Sequence, residues 1–171
     1  MKKFFYQMFV WLFCLYLFIL TKMVLFKYVS WKEMIYHFDF SAIQNQWHSS
    51  NFTPLKTIIF YLFFADVNLN IKIENLAGNI IGFIPFGWML PLLSTRFRSF
   101  SATMLATLCL SFTYEVMQLL FELGSFDIDD LILNTLGGIL GYSLSRLIQP
   151  IWHPKNMWLK QATAHRKEEK V

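Results

Sequence analysis

Charge is the property this chain has least of. Only 15% of its 171 residues are Asp, Glu, Lys or Arg, where a soluble domain carries roughly a quarter. That shortfall excludes an ordinary water-soluble globule. It also removes the nucleic-acid reading that the net charge of +4 would otherwise invite. Cysteine is scarce as well. Cys14 and Cys109 both sit inside apolar runs, and read as buried hydrophobes rather than as a disulfide or a metal pair. The four histidines, His37, His48, His153 and His165, all lie outside the long apolar runs. No Ser-His or Cys-His pair arises by local spacing, and there is no glycine-rich phosphate loop to hold a nucleotide cofactor. Internal repeats and low-complexity tracts are absent too.

What fills the chain instead is apolar. Hydrophobic residues make up 56%, aromatics 19%, and Phe alone occurs 19 times. A helix needs roughly 20 mostly apolar residues to cross the hydrocarbon core. Residues 4–26, 75–93, 100–121 and 131–149 meet that length. The expected fold class is therefore all-α: an integral membrane bundle of about four transmembrane helices plus one short helix over 54–65. That short run stops at Asp66 and is too brief to span, so it is expected to re-enter or to lie at the interface. Four regions follow. Residues 1–26 form an N-terminal anchor, with no small-residue cleavage site after the apolar run. Residues 27–74 form an extracytoplasmic segment rich in aromatics (Tyr28, Trp31, Tyr36, Trp47) that suit the headgroup layer. Residues 75–149 form a three-helix core, and 150–171 a basic tail.

Loop charge orients the bundle. Lys2 and Lys3 precede the first span, Arg96 and Arg98 separate the second and third, and Lys155, Lys160, Arg166, Lys167 and Lys170 follow the fourth. With four crossings these fall on one side, which the positive-inside rule makes cytoplasmic. Both termini are then cytoplasmic, and the acidic turn at 122–130 faces outward.

Positions on a helix advance about 100° per residue, so shared faces follow from spacing. Thr103, Thr107, Ser111, Glu115, Gln118 and Glu122 form one polar stripe on the third span. Asn75, Gly78, Asn79 and Gly82 share a face on the second, and Asp130, Asn134, Gly137, Gly141 and Ser145 on the fourth. Gly78–Gly82 and Gly137–Gly141 have the spacing that lets helices approach closely, and Pro85 should loosen its helix around residues 84–87. Depth sorts these residues. Glu115 lies seven positions, roughly 10 Å, inside Glu122, and the inner half of the same faces is small and uncharged. A carboxylate at that depth costs a few kcal/mol unless paired, protonated or hydrated. Gln118, Asn79 and Asn134 are its partners by depth.

At these residues the chain resembles the VanZ-like family of membrane proteins. The resemblance rests on Asn51-Phe52-Thr53-Pro54, on Gly78-Asn79-Ile80-Ile81-Gly82-Phe83-Ile84-Pro85-Phe86-Gly87, on Glu115-Val116-Met117-Gln118, and on Asp127-Ile128-Asp129-Asp130-Leu131-Ile132-Leu133-Asn134. These look like the family's G-N-x-x-x-F-x-P-x-G, E-x-x-Q and D-x-D-D-x-x-x-N blocks, in order. Many members carry an Arg shortly before the last block, where this chain has Gly124-Ser125. That departure leaves open how the acidic turn is neutralised. The resemblance implies a bacterial cytoplasmic-membrane protein connected with teicoplanin-type glycopeptide susceptibility, without implying a reaction.

The residues themselves leave three readings open. A receptor-like pocket built from Asn79, Glu115, Gln118, Asp127, Asp129, Asp130 and Asn134 would bind an envelope lipid, a cell-wall precursor or a glycopeptide without altering it. A membrane enzyme would use Glu115 as general acid or base, with a divalent cation held by Asp127, Asp129 and Asp130, since oxygen-only ligands suit Mg²⁺ or Ca²⁺. A transporter would need a polar route through the glycine-lined inner half, which the spacing argues against.

Overall fold

The computed structural model describes residues 2–26, 47–121 and 123–152. The aromatic positions Tyr28, Trp31 and Tyr36, the stripe residue Glu122 and the tail from 153 onward lie outside them. Helix α1 covers Lys2–Leu25 and a short helix, α2, Lys56–Ile59, winding on into a wider π turn over Phe60–Phe64. The long helices α3, Leu69–Leu93, α4, Phe100–Leu120, and α5, Ile128–Trp152, follow. Among the described residues there is no strand, only one isolated parallel bridge between Asn51 and Asp127.

Each long helix begins where a small polar side chain meets an orphan N–H. Asn68 accepts from Asn70 N ahead of α3, and Ser99 Oγ from Ala102 N ahead of α4. Asp127 Oδ1 accepts from Asp129 N at the head of α5. These caps start α3 six residues before, and α5 three residues before, the apolar runs that announce them. Helix α3 runs through both Pro85 and Pro91 as one element of 25 residues, so the loosening expected around Pro85 does not interrupt it.

Lys3–Leu25, Leu69–Leu93 and Phe100–Leu120 are long and apolar enough to cross a membrane. The fourth expected span is present as a helix of full length, but Asp129, Asp130, Asn134 and its glycines and serines dilute its hydropathy. Its polar face is turned inward instead. Helix α1 is apolar all round, with Phe4, Trp11, Phe18 and Met23 all more than half exposed. Phe63 and Phe64, beyond α2, are 76% and 72% exposed. Surface of this kind is tolerable only against lipid, and this is a helical membrane protein. Cys14 and Cys109 are on that outer surface. The reading of them as buried is corrected here: both point away from the polar stripe into the lipid-facing arc.

Helix α5 packs most extensively on α3, and glycine is the reason. A Cβ at Gly137 would overlap the Ile80 carbonyl, and one at Gly141 the Ile84 carbonyl. One at Gly87 would strike the backbone of Gly138, whose own Cβ position is taken by Thr107 of α4. The expected pair Gly78–Gly82 sits differently. Gly78 has open space beside it and Gly82 only ordinary contact with Leu20. Helix α1 docks through the Tyr16 hydroxyl on the Gly82 carbonyl at 2.7 Å and through Thr21 and Tyr114, whose hydroxyls are 2.8 Å apart.

The two ends differ in charge. Tyr6 reaches the Leu93 carbonyl and Tyr142 the Arg98 carbonyl, so Lys3, Arg96 and Arg98 gather at one end. Asp127, Asp129, Asp130 and Glu74 gather at the other, with Lys22, Lys56 and Lys72 on the helix ends around them. The glycine contacts give a direct prediction. Gly137→Leu should destabilise the bundle by about 1–3 kcal/mol through overpacking, while Gly78→Ala should be neutral or stabilising by up to about 1 kcal/mol. Denaturation of the detergent-solubilised chain followed by circular dichroism separates the two.

Candidate functional site: the acidic end of the bundle

The acidic turn is built by backbone pairing between two loops. Asn51 N donates to the Phe126 carbonyl at 2.7 Å, and Ile128 N to the Asn51 carbonyl at 3.0 Å. Phe52 stacks on Phe126, and Trp47 lies against Phe52. With the loops so joined, the carboxylates turn inward rather than toward solvent. Asp127 Oδ1 accepts from Asn51 Nδ2 as well as from Asp129 N, both at 2.9 Å, and Oδ2 accepts from the Thr57 hydroxyl at 2.6 Å. Asp129 is completely buried. Its two oxygens accept backbone N–H bonds from Leu55, Thr57 and Ile58 and so anchor the start of α2. Leu55 adopts the left-handed region there, φ 67°, a conformation that costs a side-chain-bearing residue on the order of 1–2 kcal/mol. The Asp129 carboxylate holds it in place.

This arrangement answers what neutralises the turn without the Arg. Three backbone N–H groups, one amide and one hydroxyl replace the cation, and hydrogen bonds to a charged acceptor are the strong kind. It bears on the metal reading as well. Any cation held by Asp127 and Asp129 would have to displace those donors. Among the described residues no group of three or more His, Cys, Asp or Glu side chains is arranged to hold a metal ion.

Glu115 lies beneath the turn, 1% exposed, and its Oε2 accepts from Asp127 N at 2.9 Å. Asp130 points the other way and takes a hydrogen bond from Asn79 Nδ2 across to α3. Gln118, 8% exposed, donates from Nε2 to the Val24 carbonyl at the end of α1. Asn134 sits a turn deeper than Asp130 and donates to Ser111 Oγ at 2.9 Å, leaving its own Oδ1 buried without a partner. The seven residues grouped by spacing thus divide into three sets. Asp127, Asp129 and Glu115 form the loop anchor. Asn79, Asp130 and Gln118 border an opening between α1 and α3. Asn134 belongs to the buried seam with Ser111.

That opening is a cavity of about 120 Å³, lined on its polar side by Glu74, Asn75, Asn79, Gln118 and Asp130, and on its apolar side chiefly by Leu20, Met23 and Phe83. Gly78 and Gly82 form its floor on α3. Spacing placed Asn75 and the two glycines on one face but assigned the glycines to packing. Glu74 and the α1 residues carried no signal, because nothing in the sequence says where α1 docks. Thr57 was missed as well; its neighbour Asn51 was marked by the resemblance block, and Thr57 sits six residues on.

An apolar helical bundle closed tightly by glycine at one end, and opened to a small amphipathic cavity under a hydrogen-bonded acidic turn at the other, defines a helical membrane protein with a candidate site at one end of the bundle. The VanZ/LLP1 family matches residues 13–149, and the chain belongs to that family. Protein VanZ of Enterococcus faecium is 41% identical over 73 residues, which are 42% of this chain and 44% of that one. The alignment therefore spans less than half the length of that relative. No solved structure matches the chain.

The anchor is testable. Asp129→Ala strands three N–H groups and should loosen residues 52–66, costing about 2–3 kcal/mol. Limited proteolysis of the chain in nanodiscs should show faster cleavage in that segment, with Asp129→Asn intermediate because one acceptor oxygen remains.

Proposed function

We propose that this protein works at the outer face of a bacterial cytoplasmic membrane, where it binds an envelope component in the acidic-end pocket and thereby changes susceptibility to glycopeptides of the teicoplanin type. The pocket itself carries the reading, joined to membership of the VanZ/LLP1 family. A tight acidic turn over a small amphipathic cavity suits retention of a headgroup-sized ligand. Among the described residues nothing adjacent supplies a nucleophile with its base. Asp127 and Asp129, in the turn above Glu115, have their oxygens engaged as anchors. Binding is therefore preferred to turnover. The bundle crosses four times in this reading, with α5 as the inward-facing fourth crossing. The basic end of Lys3, Arg96 and Arg98 is cytoplasmic, as are both termini, and an envelope lipid or cell-wall precursor reaches the pocket from the outer leaflet.

A catalytic reading has one observation in its favour. Glu115 uses Oε2 on Asp127 N, and its Oε1 accepts no hydrogen bond among the described residues, the condition of a carboxyl group able to exchange a proton. Glu115→Gln separates the two readings, because the amide oxygen still accepts from Asp127 N, the fold is kept and Glu115 does not line the cavity. With the variant inserted at the normal level, teicoplanin susceptibility should stay as in the parent protein if the pocket binds, and return to that of cells lacking the protein if the carboxyl reacts. An unchanged susceptibility would exclude an essential carboxyl at this position.

A further inference from the structure

The donors and acceptors of the cavity are unevenly used. Asn79 Nδ2 donates to Asp130, Gln118 Nε2 to the Val24 carbonyl, and Asn75 Nδ2 to the Ile71 carbonyl. Each amide nitrogen on the lining is thus committed within the protein. Two of the oxygens are not. Gln118 Oε1, on a side chain 92% buried, accepts nothing among the described residues, nor does Asn79 Oδ1. Glu74, exposed at the mouth, has no hydrogen-bond or ionic partner among the described residues. Neither oxygen is sealed off, so each is open to a donor that enters the cavity.

From this geometry we infer that the cavity receives a primary-ammonium headgroup of about ethanolamine size, carried by an amphiphile. An ammonium has three donors, no acceptor and a positive charge, matching two amide oxygens and a carboxylate. The size agrees. A cavity of about 120 Å³ is of headgroup size, enough for a short amino-alcohol and too little for a peptide or a sugar chain. The opposite wall supplies the rest of the amphiphile's needs. Leu20 and Met23 line it, and Met23 is 61% exposed on the lipid side of α1, so an acyl chain can leave the cavity directly into the bilayer. The missing side chain at Gly78 provides the room. This inference rests on the proposed outer-face pocket and names its ligand class.

The probe is phosphatidylethanolamine. The full chain, extracted from bilayers of equal phosphatidylethanolamine and phosphatidylglycerol, is weighed by native mass spectrometry. Retention of the ethanolamine lipid should exceed that of the glycerol lipid by about tenfold, the worth of one charge-assisted hydrogen bond. Gly78→Leu, which fills open space and spares the fold, should abolish the preference, and Glu74→Gln should reduce it. Free ethanolamine at millimolar concentration separates the sources: if it displaces the lipid, the site reads the amine alone, and if it does not, the attached chain contributes. Either result of that arm supports an ammonium site provided the preference exists. Equal retention of the two lipids by the wild-type chain, or a preference unaltered in Gly78→Leu, would overturn it. Failure here is distinct from failure of the proposed function, which is read in cells as susceptibility and requires no particular headgroup.

Discussion

The Asp129 carboxylate, with no surface exposed, is the point from which the acidic end is organised. It gathers three backbone N–H groups from residues 55–58 and fixes a loop that has little other reason to stay. Most side chains in Phe52–Lys56 are exposed, and α2 itself has no buried residue. The loop in turn presents Asn51 and Thr57 to Asp127, and Asp127, so held, aims its own N–H at Glu115. A buried charge is tolerated only when its hydrogen-bonding capacity is met. Here one carboxylate is satisfied by a loop, the loop satisfies a second, and the second's backbone satisfies a third.

At the other end of the same helices the constraint is steric rather than electrostatic. Thr103, Thr107, Ser111 and Ser145 are completely buried, and the threonine hydroxyls return to backbone carbonyls, Thr103 to Phe97 and Thr107 to Thr103. The seam is polar in composition yet asks for almost nothing from its neighbours. That lets Gly87, Gly137, Gly138 and Gly141 bring three helices to backbone contact, the packing that serves membrane proteins in place of a hydrophobic driving force. The bundle is thus closed where its side chains are smallest. It opens toward the acidic end, where α1 is held off α3 by Tyr16 and by Leu20 beside Gly82.

Much of this was legible from spacing alone. The stripe from Thr103 to Gln118 is buried throughout its length, because a polar face on an otherwise apolar helix has only one place to go. Asn75, Gly78, Asn79 and Gly82 do share a face, and it is the face that lines the cavity. What spacing could not deliver was the partner across each face. Gly78–Gly82 and Gly137–Gly141 have the same four-residue interval, yet one pair meets a backbone and the other meets space. The difference lies in where α1 and α5 dock on α3, a tertiary fact that periodicity within one helix does not encode. The cap of Asp129 on a segment 71 to 74 residues earlier is of the same kind. A run of three Asp in four residues reads naturally as a cation site, and only the fold reveals that backbone N–H groups bind the Asp129 carboxylate.

The dimensions of the cavity also constrain how a protein of this form can influence a large antibiotic on the proposed reading. A glycopeptide has many times the volume of about 120 Å³ and cannot be enclosed by the cavity. The nearby exposed surface is aromatic, with Trp47 and Phe52 55% and 45% exposed and Phe63 and Phe64 beyond them. Such a surface favours the headgroup layer over a soluble ligand. Of the carboxylates at this end, Asp127 and Asp129 are engaged by donors and Glu115 is buried, which leaves Glu74 at the cavity mouth and Asp66 facing outward. On that reading, direct capture of an antibiotic has little volume and few outward-facing carboxylates to work with. An effect exerted through what the membrane presents at its surface needs only the small site and the lipid-facing aromatics, and both are present.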